Sequence, residues 1–561
     1  MGTRGLEIVC FRGRYYIRYH QYDSYYEGLG AKIVASIPAD PDEYQKWLES
    51  TRAWYAANER ALEQHVYGSD EPDYSQQLCE WEALPSELPR LHGFGAEYFY
   101  IINLDHEVLT MNFSIHWKLG NIPRQDNLWL TAIVNSVYQY KPTISSSICS
   151  EEHMASLDLE LPDYNEEIPY DFRIVSATTN IGSAPKVLLT RAAADVLVEH
   201  KNDIIRFGRS WSPDSFPFRE LTFALVSIAS GQAQFRALTA EPHADGDLTR
   251  SPGWVDEKWA GSGPPLLEFG SMCHRPGEPP GASPTETMYW LEDVLVRLEL
   301  VIDGEAVTEA VTWGIEQGRT NFQIVVISLF EVAFAEVSSS ETTGSPFVKV
   351  SPAIDLSPLC ADYCVSTHPR ERPELKEGMV FRRQTGELIM NSNCTGTAQR
   401  LRRHFPGLAA LVNFFHVAAS RRAASKSVGR LPSELYGRIL DFVDYDTWKA
   451  CSVVSSELRH NSLFKYRLDD RMRMLKGPFV RMLRGVRLHG RRDEPLLSFD
   501  FENMETGQIL PMMATPFRFR RRHGWMPVIG SDRKALMVDV VIGFQPATDV
   551  PVEADDDSES D

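Results

Sequence analysis

Residues 431 to 459, LPSELYGRILDFVDYDTWKACSVVSSELR, set the tightest constraint on how this chain folds. Leu431, Leu435, Ile439 and Val443 recur every four residues, and Leu440 and Phe442 widen the stripe. That is one apolar face of a short helix, with Pro432 in its first turn, where a missing N–H costs nothing. Asp444-Tyr445-Asp446 interrupts the pattern. Asp446 is available to cap a second helix, in which Ala450, Val454 and Leu458 form a row with Trp448 and Val453 beside it. A third helix, rich in Arg and Lys, is expected over Leu463 to Leu475. Three short helices in roughly 45 residues are too small to bury their own apolar faces, so the unit needs something to pack on.

The rest of the chain has material for that. At 561 residues it is long enough for about three or four domains, or for two larger ones. With 43% hydrophobic and 24% charged residues it is excluded from the disordered, collagen-like and small disulfide-scaffold classes. Its 8 cysteines are scattered, and only Cys360 and Cys364 are close together. That CxxxC has no second pair at finger spacing, so neither a structural zinc nor any other cofactor is expected. Unpaired thiols point to a reducing, intracellular compartment, cytoplasm or nucleus. The most apolar stretch, Phe322 to Val337, spans 16 residues and carries Glu331 and Glu336, short of the ~20 needed to cross a bilayer. The first twenty residues lack the apolar core of a signal peptide. No membrane partner is expected.

The fold expected is α+β and multi-domain: β-rich N-terminal and middle regions, then a helical segment and a short β extension. Residues 1–70 read as a hairpin, its connection at Arg12-Gly13-Arg14, followed by an aromatic loop and a helix from Asp42 to Val66 capped by Asp40. Residues 80–365 form the β-rich middle region. In it Tyr98 to Asp105 and Val108 to Trp117 pair through Asp105-His106-Glu107, and Ala184 to His200 is helical. Met288 onward and Phe322 to Val337 have the composition of buried strands, with helix as the alternative. Residues 242–284 hold seven glycines and eight prolines and read as an inserted loop. Residues 396–425 are helical on both sides of Pro406-Gly407. The three-helix segment occupies 428–476, a C-terminal β extension 477–547 and a solvated acidic tail 548–561.

The segment at 428–476 resembles an F-box: LPxEL, then IL, then a second helix with a VxS-like step. Leu431, Pro432, Glu434, Leu435, Ile439, Leu440, Trp448, Val453, Val454 and Ser455 carry the match. The resemblance implies docking onto the Skp-type adaptor of a cullin–RING ubiquitin ligase, with other parts of the chain selecting a protein substrate that the sequence does not identify. On that reading Leu431, Pro432, Leu435, Ile439, Leu440, Val443, Trp448, Val453 and Val454 form the partner-binding face, and the chain is not itself catalytic. Separately, MGTRG followed by RGRYYIRYHQYDSYYEGLG resembles the opening of a family of fungal proteins of unassigned activity, which implies a fungal origin.

A second organisation fits the same residues. The helices could be packed in the chain's own core, with a ligand-binding or enzymatic pocket in residues 1–360. His20, Asp23 and the Gly28-Leu29-Gly30 turn would suit a small polar site there, although Tyr19, Tyr22, Tyr25 and Tyr26 can equally pack that loop against a sheet. Phosphate-cradling, HExxH, GxSxG and kinase signatures are absent from the sequence. The net charge of −20 conceals an asymmetry: Arg370 to Lys534 carries 31 basic and 17 acidic residues, a net of +14, against −34 elsewhere. The halves are expected to complement each other within the molecule. The run Phe517 to Trp525, FRFRRRHGW, could neutralise phosphates, but the acidic balance of the chain argues against nucleic acid as a partner.

Overall fold

The computed structural model describes residues 2–12, 14–66, 85–86, 96–111, 115–135, 144–145, 147–157, 159–201, 204–205, 208–237, 254–255, 266–267, 283–339, 346–360, 385–390, 394–426, 431–482, 495–507, 509–514, 524–529, 534–535 and 542–544. Most of the 242–284 insertion, most of the basic run at 517–525, Cys364 and the acidic tail lie outside these residues. The fold is α+β, with several sheets.

The first unit begins with the expected hairpin, β1 (Gly5–Phe11) and β2 (Arg14–His20), in register from Gly5↔His20 to Phe11↔Arg14. Arg12, at φ +52°, makes the turn. Two helices follow, α1 (Ala31–Ser36) and α2 (Pro41–Val66). Asp40 caps α2 as expected, its Oδ1 accepting from the N–H groups of Asp42 and Glu43, each at 3.1 Å. The sheet continues with the two-residue β3 (Pro85–Ser86), then β4 (Tyr98–Asn103), β5 (Val108–Met111) and β6 (Ile115–Lys118), in the order β3-β2-β1-β4-β5-β6. The strands assigned from sequence to the middle region thus complete the N-terminal sheet. The join is β1 against β4, a parallel pair, which needs a long crossover and leaves no local signal of which strand is the partner. Val9, Phe11, Tyr100, Ile102 and Trp117 face a core closed by α1, α2 and α3 (Leu128–Val134).

The second unit is a sheet between helices. Its strands are β7 (Asp171–Ile174), β8 (Met288–Leu291), β9 (Val294–Leu298), β10 (Phe322–Ile327), β11 (Glu331–Ser339) and β12 (Pro346–Val350), ordered β8-β9-β10-β11-β12-β7. Both apolar stretches that could have been helix or strand are strands. Their residues split by parity: Val296, Val325, Ile327 and Phe334 face one core, and Leu295, Ile324, Val326 and Ala335 the other. The first core is closed by α4 (Ala184–Glu199), α5 (Phe216–Ser230) and a later helix; the second by α6 (Gly304–Glu316), the crossover between parallel β9 and β10. The sequence reading gave α4 but not α5 or α6. Asp303 does cap α6, its Oδ1 2.9 Å from the Ala306 N–H, a signal that was available.

Beyond it come α7 (Ala398–His404) and α8 (Pro406–Lys426), broken at Pro406 as expected. Gly407 is required there. A Cβ would lie 2.7 Å from the Asp355 carbonyl oxygen and 2.9 Å from that of Ile354. Backbone cannot yield as a side-chain tip can, so Gly407→Ala sets an overpacking cost of about 1–3 kcal/mol against a helix-propensity gain of about 1. Net destabilisation of about 0–2 kcal/mol is expected in chemical denaturation; a stabilised variant would show that α8 can shift.

The last unit comprises α9 (Ser433–Phe442), α10 (Tyr445–Cys451), α11 (Ser456–Phe464) and a sheet led by β13 (Met472–Met482), β14 (Pro495–Asn503) and β15 (Ile509–Ala514). Segment Gln234–Ala237 pairs with Gly524–Ile529, so this sheet also takes a strand from the middle region. Three expectations fail here. The second helix ends at Cys451, because Ser455 turns extended and caps a new one, its Oγ accepting from the Leu458 N–H at 3.2 Å. The third helix therefore spans 456–464 rather than 463–475, and Met472 onward is strand. Asp444, not Asp446, caps α10, its Oδ1 2.7 Å from the Thr447 N–H. No helix among the described residues is long and apolar enough to cross a membrane.

Candidate docking face and adjoining cavity

Helix α9 is apolar on two sides. Its inner side, Tyr436, Gly437 and Leu440, is buried. Lys465 holds it there, donating from Nζ to the Gly437 carbonyl at 3.0 Å and to both Asp441 carboxylate oxygens, at 2.8 and 2.7 Å. Arg467, 2% exposed, closes its C-terminal end, donating to the carbonyls of Val443, at 2.7 Å, and Leu440. Those carbonyls have no partner within the helix, so the guanidinium stands in for the missing turn.

The outer side is open. Leu431 is 47% exposed, Leu435 44%, Ile439 41% and Phe442 89%. Helical spacing puts Leu435, Ile439 and Phe442 on one face, and Leu431 continues that row before the first turn. Pro432 and Val454 are also exposed. The partner face expected from sequence therefore divides. Leu440 and Trp448 are 1% and 4% exposed and belong to the core; Trp448 stacks on Tyr445 at 5.6 Å and meets Tyr466 edge-on. Val443 is half-buried against that core, and Val453 is half-buried in the wall of a cavity. Val443 stands just past the end of α9 with an extended backbone, so the helical row does not continue to it. Leu440, one residue past Ile439, lies about 100° away and faces the interior from the start.

His20 and Asp23 have separate roles. His20 Nε2 is 2.9 Å from Glu7 Oε2. The Asp23 side chain is exposed, while its carbonyl accepts from the Leu29 N–H at 2.9 Å and lies so near Gly28 that a Cβ there would come within 2.2 Å. Of the four tyrosines, Tyr26 is fully buried, whereas Tyr22 and Tyr25 are exposed. Among the described residues no group of three or more His, Cys, Asp or Glu is placed to hold a metal ion.

A cavity of about 580 Å³ lies where α10 and α11 meet α5, α8 and the β8–β9 turn. Its lining spans residues 223–292 and 419–459, so it falls only partly within the first 360 residues. Sequence reading missed Glu292, Arg422, Lys449 and Arg459, which sit on four different elements, and took the fifth charged residue of the lining, Asp446, only as a helix cap. Beside it His416 Nδ1 is 3.3 Å from Arg459 Nη2. Burial, with the positive charges of Lys186 and Arg459, pushes the His416 imidazole down to about 4 from 6.5. The unfolded chain takes up this proton near pH 6.5 and the folded chain only near 4. Stability is therefore expected to fall as pH drops from 6.5 toward 4, by up to ~2 kcal/mol after solvent screening. Denaturation of His416→Gln at pH 7 and pH 4.5 checks it: the variant loses less on acidification than the parent, and equal losses would reject the assignment.

Comparison with protein-family models, with curated proteins and with solved structures finds no match for this chain.

Proposed function

We propose that the chain is a non-enzymatic, intracellular adaptor that recruits a protein substrate to a cullin–RING ubiquitin ligase. It docks on a Skp-type adaptor through the outer face of α9. The observation that carries this reading is the exposure of Leu431, Leu435, Ile439 and Phe442 on a helix whose opposite side is already anchored in the core. Water gains nothing from four large apolar side chains in one row, whereas a groove on a partner removes them from solvent. A specific interface needs about 800 Å² from each partner, more than one helical face supplies, so the footprint takes in Pro432 and Val454 as well. The mechanism is proximity: one surface holds the ligase, another holds a client, and the client's lysines reach a high effective concentration at the ubiquitin donor. Mixing the purified full chain with a purified Skp-type adaptor tests it. A complex that co-elutes in size-exclusion chromatography is expected, and separate elution at micromolar concentrations would reject the reading.

A further inference from the structure

The cavity behind α10 and α11 has two kinds of wall. Phe223, Leu291 and Val453 give it an apolar side. Three helices give it three cations: Arg422 from α8, Lys449 from α10 and Arg459 from α11. Two acids, Glu292 and Asp446, also line it, which leaves a formal charge of +1 on the lining. Those acids are unevenly placed. Glu292 is committed to Arg422, with Oε2 2.5 Å from Nη2, and Asp446 is exposed.

Lys449 Nζ donates to the carbonyl of Gln232. Arg459 donates to the Ser420 hydroxyl at 3.0 Å, to the His416 carbonyl at 3.3 Å and to the Ser452 carbonyl at 3.5 Å, all neutral acceptors. Among the described residues neither cation forms an ion pair with a carboxylate, although both are half-buried. Burial pulls the Lys449 ammonium down to about 8 against the opposing charges of Glu292 and Asp446, and burial with the charge of Arg422 pulls the Arg459 guanidinium down to about 10 against that of Glu292. Two further polar atoms of the lining are buried with no hydrogen-bond partner among the described residues, Arg422 Nε and Ser227 Oγ. Ser227 is 1% exposed on α5 and does not make the bond to the preceding turn that Thr222, five residues earlier, makes to Phe218 at 2.8 Å. Unpaired donors of this kind, gathered in one cavity of ligand size, are what an absent anion would satisfy.

We infer that this cavity binds a phosphorylated small molecule, with the phosphate held by Lys449 and Arg459, assisted by Arg422 and Ser227, and the organic body against Phe223, Leu291 and Val453. A phosphate suits the site better than a carboxylate because it presents three terminal oxygens to donors arriving from several directions. The inference is independent of what α9 docks onto. Because the lining comes from α5, α8, α10 and α11, an occupant ties the three-helix segment to the central unit, and binding raises thermal stability by mass action.

Calorimetric titration of the full chain with phenyl phosphate, inorganic phosphate and sodium chloride at matched ionic strength tests the inference, with melting temperature read in parallel. Saturable binding of phenyl phosphate is expected, at least tenfold tighter than inorganic phosphate, with no response to chloride. Lys449→Gln is expected to weaken it at least tenfold. Ala450→Glu, at an exposed lining position, adds a negative charge beside Lys449 and is expected to do the same, with a ligand-free melting temperature no lower than the parent's. Absence of saturable binding, a response that chloride reproduces, or affinity unchanged in Ala450→Glu would overturn the site. Inorganic phosphate binding as tightly as phenyl phosphate would overturn the assignment of the organic body.

Discussion

Replacing Leu435 and Ile439 together by aspartate is expected to abolish capture of a Skp-type adaptor, a loss of at least a hundredfold in affinity, while the chain stays folded. Both side chains are more than 40% exposed, so their removal withdraws little from the core. Leu435 lies in the first turn of α9, where a negative charge is favourable, and Ile439 to aspartate costs only a few tenths of a kcal/mol in helix propensity. The expected change in unfolding free energy is therefore within about 1 kcal/mol. Leu440→Asp is the contrast. At 1% exposure it would bury a charge with no partner, and loss of more than about 3 kcal/mol is expected. Pull-down and denaturation on the same three proteins separate the outcomes. If the double variant unfolds like Leu440→Asp, the outer face is structural; if it folds and still binds within threefold, the adaptor sits elsewhere.

That contrast also marks how far the sequence could be read. The period-four row at 431–439 has to lie on one side of a helix, and nothing at longer range alters that. Which side of α9 meets the core was not legible, because Tyr436 and Leu440 form an equally apolar face, and the choice is made by Arg467 and Lys465, some thirty residues on. The run of Arg and Lys after Phe464 looked like a helical surface. In the structure its members instead close the end of α9 and meet β14, where Arg473 Nη2 lies 2.5 Å from Glu502 Oε2. Local chemistry was read well wherever a cap or a turn sufficed, as at Asp40 and at Asp105 to Glu107. It failed where two caps competed, as between Asp444 and Asp446, and where a sheet took strands from distant segments, as when β1 chose β4. The charged cavity carries no signal along the chain at all, since Glu292, Arg422 and Arg459 come together only on folding.

Asp195→Ala is expected to be among the most destabilising single substitutions in the central unit, at about 3–5 kcal/mol. Asp195 and Arg191 lie one turn apart on α4, with side chains 7% and 2% exposed and Oδ2 2.6 Å from Nε. The other carboxylate oxygen accepts from Thr395 Oγ1 at 3.0 Å, and Arg191 Nη1 donates to the Thr395 carbonyl. The pair thus fastens α4 to a segment 200 positions away, just before α7. Attraction within such a pair roughly balances the cost of taking both charges out of water, so the pair itself contributes modestly. Removing one member does not restore the other to water, and the buried guanidinium that remains accounts for the expected loss. Arg191→Met with Asp195→Leu removes both charges and keeps the volume, so the double variant is expected to be more stable than Asp195→Ala by at least 2 kcal/mol. Chemical denaturation of the two variants beside the parent decides it: a double variant as unstable as the single would mean that the hydrogen bonds to Thr395, rather than charge compensation, are what hold α4 in place.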